Sequence, residues 1–319
     1  MTSPTWSTKL TDHLRMSLSQ IKSATAQQAE ALSLLWDSVE WPLTRNEVLL
    51  VVDAWHVEYI EAEDGGGIVS SISTTDVNLF VGVSFVATRP DRQRQGLATR
   101  LLKHVQARFR DSKPLALMAS EAGLGLYLEL GFRRVRTAHK FELTDVTGHR
   151  LSTIAQADDI TYSLARTDVD FAQMVEQTRI ASGGADLSRF YTTFLRPSAG
   201  QKDRLPHSYL AKRGDEVVGF GSFYRLFDNL WLGPLICQKA AVAQGIVSRL
   251  IALRNEEQPE VQVNIHCLEP VSSEWADWLV EQGFRLASDW PILQHPAAKP
   301  IFDGYDMARY YAIHDPVNM

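Results

Sequence analysis

The chain has few cysteines, no long apolar run and no excess of basic residues. Among its 319 residues, Cys237 and Cys267 are the only cysteines, which is too few for a disulfide framework or a thiolate metal cluster. No apolar run approaches the ~20 residues that span a bilayer, and the first residues contain no apolar signal core. We therefore expect a cytoplasmic protein without a membrane partner.

Charge and histidine spacing argue against two further classes. The net charge of −6 does not fit the basic face of a nucleic-acid binder. The nine histidines show no metal-ligand spacing on a helix, so we expect no metal. The apolar fraction of 45% and the charged fraction of 22% are typical of a globular protein, and the length suggests about two domains.

Two stretches of the chain are nearly alike. "GLATRLL" begins at Gly96 and "GIVSRLI" at Gly245, 149 residues later. The pair Gly131-Phe132 recurs as Gly283-Phe284, 152 residues later. Between these anchors the hydrophobic pattern predicts helix, strand and helix in the same order. We interpret the chain as two copies of one α/β fold.

Periodicity and turn residues predict the elements of each copy. In the first copy they indicate an early helix, a strand meander, a helix from Gly96, a short strand, a helix ended by Gly131 and a closing strand. In the second copy they predict helices over 168–181, 240–255 and 272–282, and strands over 207–213, 216–226, 229–237 and 261–267. The polar residues 144–160 are taken as a linker, which gives domains 1–143 and 161–319.

The loop "QRQGLA", residues 93–98, lies between a strand that ends at Thr88 and a helix. The first turn of a helix has free N–H groups and a positive dipole end, which together bind phosphate well. Gly96 lets the backbone approach an anion closely, and Arg92 and Arg94 add positive charge. The alternative is an ordinary helix with basic residues near its start.

The pattern Gln93, Gly96, Ala98 resembles the acyl-CoA loop of the GCN5-related N-acetyltransferases (GNAT). "LYLELGF", residues 126–132, is similar to the "LYEKLGF" segment of that family, although Met118 stands where a tandem subfamily has Asp. The resemblance implies an α/β (α+β) fold with two tandem GNAT folds, each a mixed, mostly antiparallel twisted sheet flanked by helices. It also implies an acetyl-CoA-dependent N-acetyltransferase.

The resemblance implies a role for each matching residue. Main-chain groups of Val86, Ala87 and Thr88 would pair with the pantetheine arm of the cofactor. Tyr127 would give a proton to the departing thiolate, since a phenol with a pKa near ~10 is protonated at neutral pH; on its own it would read as a core tyrosine. The pyrophosphate would be held by the amides of Gln93, Arg94, Gln95, Gly96, Leu97, Ala98 and Thr99.

The general base stays unassigned, because "NLFVGVSFVAT", residues 78–88, contains no carboxylate. The nearest candidates carry no specific signal, and each also fits a solvated or turn residue. They are His56, Glu58, Glu61, Asp76 and Glu121.

The second copy lacks the groups that the first copy offers to an anion and a proton. When the glycines are aligned, Val242 replaces Gln93 and Ala243 replaces Arg94. When the Gly-Phe pairs are aligned, Leu279 replaces Tyr127. This half resembles the degenerate second domain of tandem acetyltransferases, and we predict a structural copy without a cofactor site.

The acceptor is predicted only by class, as a small-molecule amine, and the protein as a monomer or homodimer. Aromatic residues near the C-terminus could line a pocket between the copies or form core: Trp275, Trp278, Trp290, Phe302, Tyr305, Tyr310 and Tyr311. Asp303, Asp306 and Asp315 could attract an amine, or belong to a solvated terminus. A non-catalytic acyl-CoA-binding protein and a protein or peptide N-acetyltransferase remain alternatives.

Overall fold

The structure, a computed structural model, describes residues 21–144, 159–196, 207–296 and 300–313. The chain forms two compact units: unit 1 comprises residues 1–75 and 83–112, and unit 2 comprises residues 76–82 and 113–319. None of the described helices is both long enough and apolar enough to cross a membrane. The predicted linker 144–160 lies almost wholly outside the described residues, and the two domain ranges remain a prediction.

The described part of unit 1 is a small sheet with three α-helices. The strands are β1 (Ile21–Ser23), β2 (His56–Glu61), β3 (Ile68–Asp76) and β4 (Val81–Thr88), and the helices are α1 (Ala29–Asp37), α2 (Arg45–Ala54) and α3 (Leu97–Phe109). β2 is antiparallel to both β1 and β3, and β4 follows β3 in the sheet. A capping box of Thr44 and Glu47 starts α2, a helix that sequence patterning missed.

Phe85 interrupts the regular geometry of β4 and is the centre of an aromatic cluster in unit 1. Its φ is +45°, in a region that bulky residues rarely adopt. The rings of Trp36, Trp41 and Trp55 lie 4.7, 5.9 and 5.5 Å from its ring. The hydroxyl of Ser71 donates to the Phe85 carbonyl at 2.9 Å. Packing and hydrogen bonding therefore hold this unusual conformation just before Val86.

Unit 2 is built on a mixed, mostly antiparallel sheet. The strands are β5 (Leu115–Met118), β6 (Arg133–Leu143), β7 (Thr161–Leu164), β8 (His207–Arg213), β9 (Glu216–Leu226), β10 (Asn229–Cys237), β11 (Val263–Leu268), β12 (Arg285–His295) and β13 (Tyr310–Ala312). They are ordered β5-β12-β6-β11-β10-β9-β8-β7, and the parallel pairs are β10 with β11 and the first residues of β4 with β5. The helices are α4 (Glu121–Glu129), α5 (Asp168–Ala181), α6 (Ala240–Glu257) and α7 (Ser273–Glu281), with a further helical segment over 188–195.

The strands that follow the two Gly-Phe pairs are exchanged between the two copies, so that each lies between strands of the other copy. β12, which follows Gly283-Phe284, lies between β5 and β6. β6, which follows Gly131-Phe132, lies between β12 and β11. Residues 113–143 consequently belong to unit 2, although they precede the predicted linker.

The core of unit 2 contains most of the aromatic residues near the C-terminus and both cysteines. Trp275 and Trp278 of α7 belong to one buried core cluster with both cysteines, and Phe302, Tyr305 and Tyr310 are buried as well. Burial raises the pKa of the Cys267 thiol to about 12, so this thiol is protonated and inert. Asp306 pairs with Arg309, and Asp315 lies outside the described residues.

The two aligned glycines have different structural roles. α3 begins at Leu97, immediately after Gly96, whereas α6 already begins at Ala240 and contains Gly245 in its interior. A Cβ on Gly245 would lie 2.3 Å from the hydroxyl oxygen of Tyr162. The guanidinium of Arg249 lies over the same tyrosine ring, 3.8 Å from its centre. Gly245 is thus needed for close packing.

Gly245→Ala should lower the free energy of unfolding by about 1–3 kcal/mol, because the added methyl group overpacks the contact with Tyr162. Gly125→Ala is the matched control: Gly125 lies in α4 and its Cβ would meet nothing within 4 Å. Alanine favours a helix, so the control should gain up to about 1 kcal/mol. Urea denaturation of both variants measures the difference, and equal stability of the two would contradict the packing role.

Candidate active site

The connection from β4 to α3 combines two left-handed residues with an uncapped helix start. Arg94 has a φ of +59° and Gly96 a φ of +76°. Gly96 is the N-cap of α3, and no side chain caps this helix. A Cβ on Gly96 would meet nothing within 4 Å. Glycine is therefore favoured here by conformation, and the space beside it is open.

The amides of this connection are unpaired within the described part of the chain. The Gln93 amide donates to the Pro90 carbonyl and the Arg100 amide to the Gly96 carbonyl. Between them, the amides from Arg94 to Thr99 have no acceptor among the described residues. Arg94, Gln95 and Gly96 are exposed. A run of accessible N–H groups at a helix start is the arrangement that binds phosphate.

The basic residues of the loop contribute less free charge than the sequence suggests. Arg92 forms an ion pair with Asp64, and Arg89 forms one with Asp91. The hydrogen bond from Arg92 lowers the pKa of Asp64, and that from Arg89 lowers the pKa of Asp91. Both carboxylates are therefore charged at neutral pH. Arg94 makes no ion pair with the described residues and is the available cation at this loop.

Side chains tie the end of β4 to its surroundings. The Ser70 hydroxyl donates to the Ala87 carbonyl at 2.8 Å and lies 2.9 Å from the Thr88 hydroxyl. The side-chain amide of Gln93 donates to the Thr88 carbonyl at 3.2 Å. A carbonyl has two lone pairs, so these contacts leave the carbonyls able to accept a second hydrogen bond. Gln93 acts here as a brace between strand and loop.

Tyr127 lies in α4 of unit 2 and is 8% exposed. Its ring packs edge-on against Phe132, at 5.9 Å between ring centres, and against Gly123, where a Cβ would lie 2.8 Å from the ring. Burial raises the pKa of Tyr127 to about 12. The phenol is therefore protonated at every pH in the physiological range.

Of the residues considered as a general base, Glu58 is the most buried. It lies on β2, 5% exposed, with His104 at 3.1 Å, Arg108 at 3.6 Å and His56 at 3.7 Å. Burial would raise its pKa, but the hydrogen bond to His56 and the charges of His104 and Arg108 outweigh burial, and the pKa is lowered. A carboxylate held by these groups is a weak proton acceptor.

The other base candidates are in solvated or structural positions. Glu61 pairs with Lys22, and Asp76 pairs with Lys113 and accepts a hydrogen bond from the Asn78 amide. Glu121 is exposed in the first turn of α4. Sequence patterning gave no signal for the Glu58 cluster, because its partners on α3 lie more than 40 residues further along the chain.

The second copy has replaced this connection with helix. β4 ends at Thr88 and α3 starts at Leu97, but β10 ends at Cys237 and α6 starts at Ala240. Val242 and Ala243, which align with Gln93 and Arg94, are buried helix residues. Leu279, which aligns with Tyr127, is buried as well. No phosphate loop is formed at these described positions.

The chain has a mixed sheet with flanking helices, and the same glycine-based motifs occur once in each half. These features define a tandem α/β protein. Two profiles described as acetyltransferase (GNAT) domains match residues 51–150 and 183–300. The chain is similar to the uncharacterized N-acetyltransferase YitH of Bacillus subtilis (strain 168), with 24% identity over 245 residues, 75% of this chain and 78% of that protein.

Solved structures agree on the fold. A crystal structure from Pyrococcus horikoshii has a TM-score of 0.71 at 16% identity and covers 94% of this chain and 95% of that one. A tandem GNAT protein from the clavulanic acid biosynthesis pathway has a TM-score of 0.65 at 15% identity, with coverage of 86% and 97%. The chain belongs to the GNAT superfamily and is an acetyltransferase with two GNAT domains in tandem. The predicted family and fold class are confirmed.

Glu58→Gln should lower the free energy of unfolding at pH 7 by about 1–3 kcal/mol, because it weakens hydrogen bonds to charged partners. A carboxylate with a lowered folded pKa stabilises the fold above its unfolded pKa of ~4.3 and loses this effect as the pH falls. Urea denaturation at pH 7 and pH 4 should therefore show a smaller difference at pH 4.

The control is Glu61→Gln, which removes an exposed ion pair and should cost about 0–1 kcal/mol. An equal loss for Glu58→Gln at both pH values would show that packing, and not charge, stabilises this cluster.

Proposed function

We propose that the chain is an acetyl-CoA-dependent N-acetyltransferase whose first copy holds the acyl donor. The observation that carries this proposal is the run of unpaired amides from Arg94 to Thr99 at the uncapped start of α3. Members of the superfamily use acetyl-CoA as acyl donor, and a pyrophosphate is an anion that such a helix start stabilises. The open space at Gly96 and the cation of Arg94 fit the same group.

The strand end supplies the second part of this proposed donor site. Val86, Ala87 and Thr88 follow the interruption of β4 at Phe85. Hydrogen bonds from Ser70 and Gln93 fix the carbonyls of Ala87 and Thr88. A pantetheine arm carries amide groups, and these would pair with the rigid main chain as an added strand does.

The proposed reaction is direct attack by the acceptor amine. The neutral nitrogen forms a bond to the thioester carbon, the carbon–sulfur bond breaks, and the nitrogen gives up its proton. Tyr127 would donate a proton to the leaving sulfur, as the family resemblance implies; burial keeps its phenol protonated, although the raised pKa also makes it a weaker acid. The base that takes the amine proton is not assigned, since the lowered pKa of Glu58 disfavours it.

The acceptor is proposed to be a small-molecule amine. The experiment that tests the function follows free thiol while the protein acts on acetyl-CoA with a panel of small amines and basic peptides. Turnover of small amines supports the proposal, and turnover of peptides alone would assign a peptide N-acetyltransferase. Binding of acetyl-CoA without turnover on any acceptor would contradict it.

Gly96→Asp should weaken acetyl-CoA binding by about tenfold or more, equivalent to about 1.4 kcal/mol. Aspartate tolerates the left-handed conformation better than most residues, so the loss should come from its negative charge beside the pyrophosphate. Gly214→Asp is the matched control, since Gly214 has a φ of +58° and open space around it. Isothermal titration calorimetry measures both, and equal affinities would remove the loop from the donor site.

Tyr127→Phe should lower kcat by about 100-fold or more, the scale of lost general acid catalysis, with little change in the Kd for acetyl-CoA. The control Tyr209→Phe makes the same chemical change on β8 and should leave kcat as it is. The thiol-release assay and calorimetry give the two quantities. An unchanged kcat would exclude Tyr127 from the mechanism.

A further inference from the structure

The short strand β13 lies where the parallel strands β10 and β11 separate. Those two strands pair from Leu230 to Leu232 of β10. Further along β10, Leu235 and Ile236 pair with Ala312 and Tyr310 of β13 instead. β13 is thus antiparallel to β10 and begins where the pairing with β11 stops.

Hydrogen bonds on both sides hold this segment in place. The Cys237 amide of β10 donates to the Arg309 carbonyl at 3.0 Å. On the opposite side, the Ile313 amide donates to the His266 carbonyl of β11 at 2.9 Å. Residues 309–313 therefore lie between two strands that would otherwise expose unpaired backbone groups to each other.

The equivalent position in the first copy is the proposed pantetheine site. The spacing of 149 residues that relates Gly96 to Gly245 also relates Val86, Ala87 and Thr88 to Leu235, Ile236 and Cys237. The regular pairing of β10 with β9 shifts register between Leu232 and Leu235, just as Phe85 interrupts β4 before Val86. The partners of β13 are thus the counterparts of the residues proposed to pair with the cofactor.

We propose that residues 309–313 are a built-in occupant of the second cofactor cleft, so that each chain binds one acyl-CoA and not two. The stoichiometry of one acyl-CoA per chain rests on the proposed function of the first copy. The chain's own backbone makes the hydrogen bonds that a pantetheine arm would make. The second copy keeps the geometry of a splayed strand pair and fills it with protein.

Burial shows why an acyl-CoA would not displace this segment easily. Ala312 and Ile313 are 0% and 1% exposed, and Tyr310 is 9% exposed. Removing the segment would expose these apolar groups and unpair the Cys237 amide and the His266 carbonyl, and each buried unpaired group costs about 1–3 kcal/mol. The second copy also offers no replacement anion site, because its loop is helix from Ala240 onward.

A cavity at the start of α6 provides a further test of the proposal. It has a volume of about 690 Å³ and includes Lys239, Trp275, Tyr310 and Tyr311 in its lining. Two of these residues belong to β13, so the segment itself forms part of the wall. If acyl-CoA bound in the second copy, residues 238–243 and 309–313 would change their exposure together.

Hydrogen–deuterium exchange of the full chain, with and without CoA, tests the occupant. With CoA at about 100 times its Kd, amides between residues 83 and 99 should exchange up to about 100-fold more slowly. Peptides spanning 229–243 and 309–313 should exchange slowly in both states and should not change. Release of 309–313, or new protection of 238–243, would overturn the proposal.

The stoichiometry of CoA binding separates this inference from the proposed function. Calorimetry should give one site for the unaltered chain and for Gly214→Asp, and the same single site, about tenfold or more weaker, for Gly96→Asp. Two sites in the unaltered chain, one of which keeps its affinity in Gly96→Asp, would overturn the inference while leaving the first site intact. If the unaltered chain bound no CoA and residues 83–99 gained no protection, the proposed function would be overturned together with the stoichiometry of one acyl-CoA per chain.

Discussion

Main-chain groups at the end of a central strand and in the connection that follows it need hydrogen-bond partners once water is removed, and the two copies differ in whether the chain itself supplies them. In the second copy, residues 309–313 satisfy the end of β10 from within the chain. In the first copy, the amides from Arg94 to Thr99 have no acceptor in the part of the chain that the structure describes. The two connections differ as well: the second is short and helical, and the first is longer, left-handed at two residues and open at Gly96. The loop arginines are secondary, because Arg89 and Arg92 are already paired with Asp91 and Asp64.

The sequence was sufficient for the elements whose signals are local. α5, β8, β9 and β10 lie at their predicted bounds. Thr167 caps the start of α5, and the turns at 214–215 and 227–228 separate the three strands. β12 was missed because Pro291 and charged residues obscure its alternation, and its partners in the sheet are distant along the chain. β13 has three residues and is defined only by its contacts with β10 and β11.

For the candidate site, sequence patterning found the residues but not their environment. It identified Gln93 and Gly96 from their spacing, yet the bracing bond from Gln93 to Thr88 depends on the turn at Pro90. It aligned Gly245 with Gly96, although one glycine makes room for Tyr162 and the other adopts a left-handed conformation. The lowered pKa of Glu58 arises from side chains of β2 and α3 that only the folded chain brings together. Such differences are decided by tertiary contacts, which a single sequence does not specify.

The exchange of β6 and β12 has a consequence for how the gene can be divided. A cut after residue 143 would leave one fragment with β5 and β6 but without β12 between them, and the other with β11 and β12 but without β6. Each fragment would then present bare strand edges, which invite association with other chains. The fragments should aggregate less when they are synthesised together. The shared sheet therefore keeps the two copies from being separated into independent genes at this point.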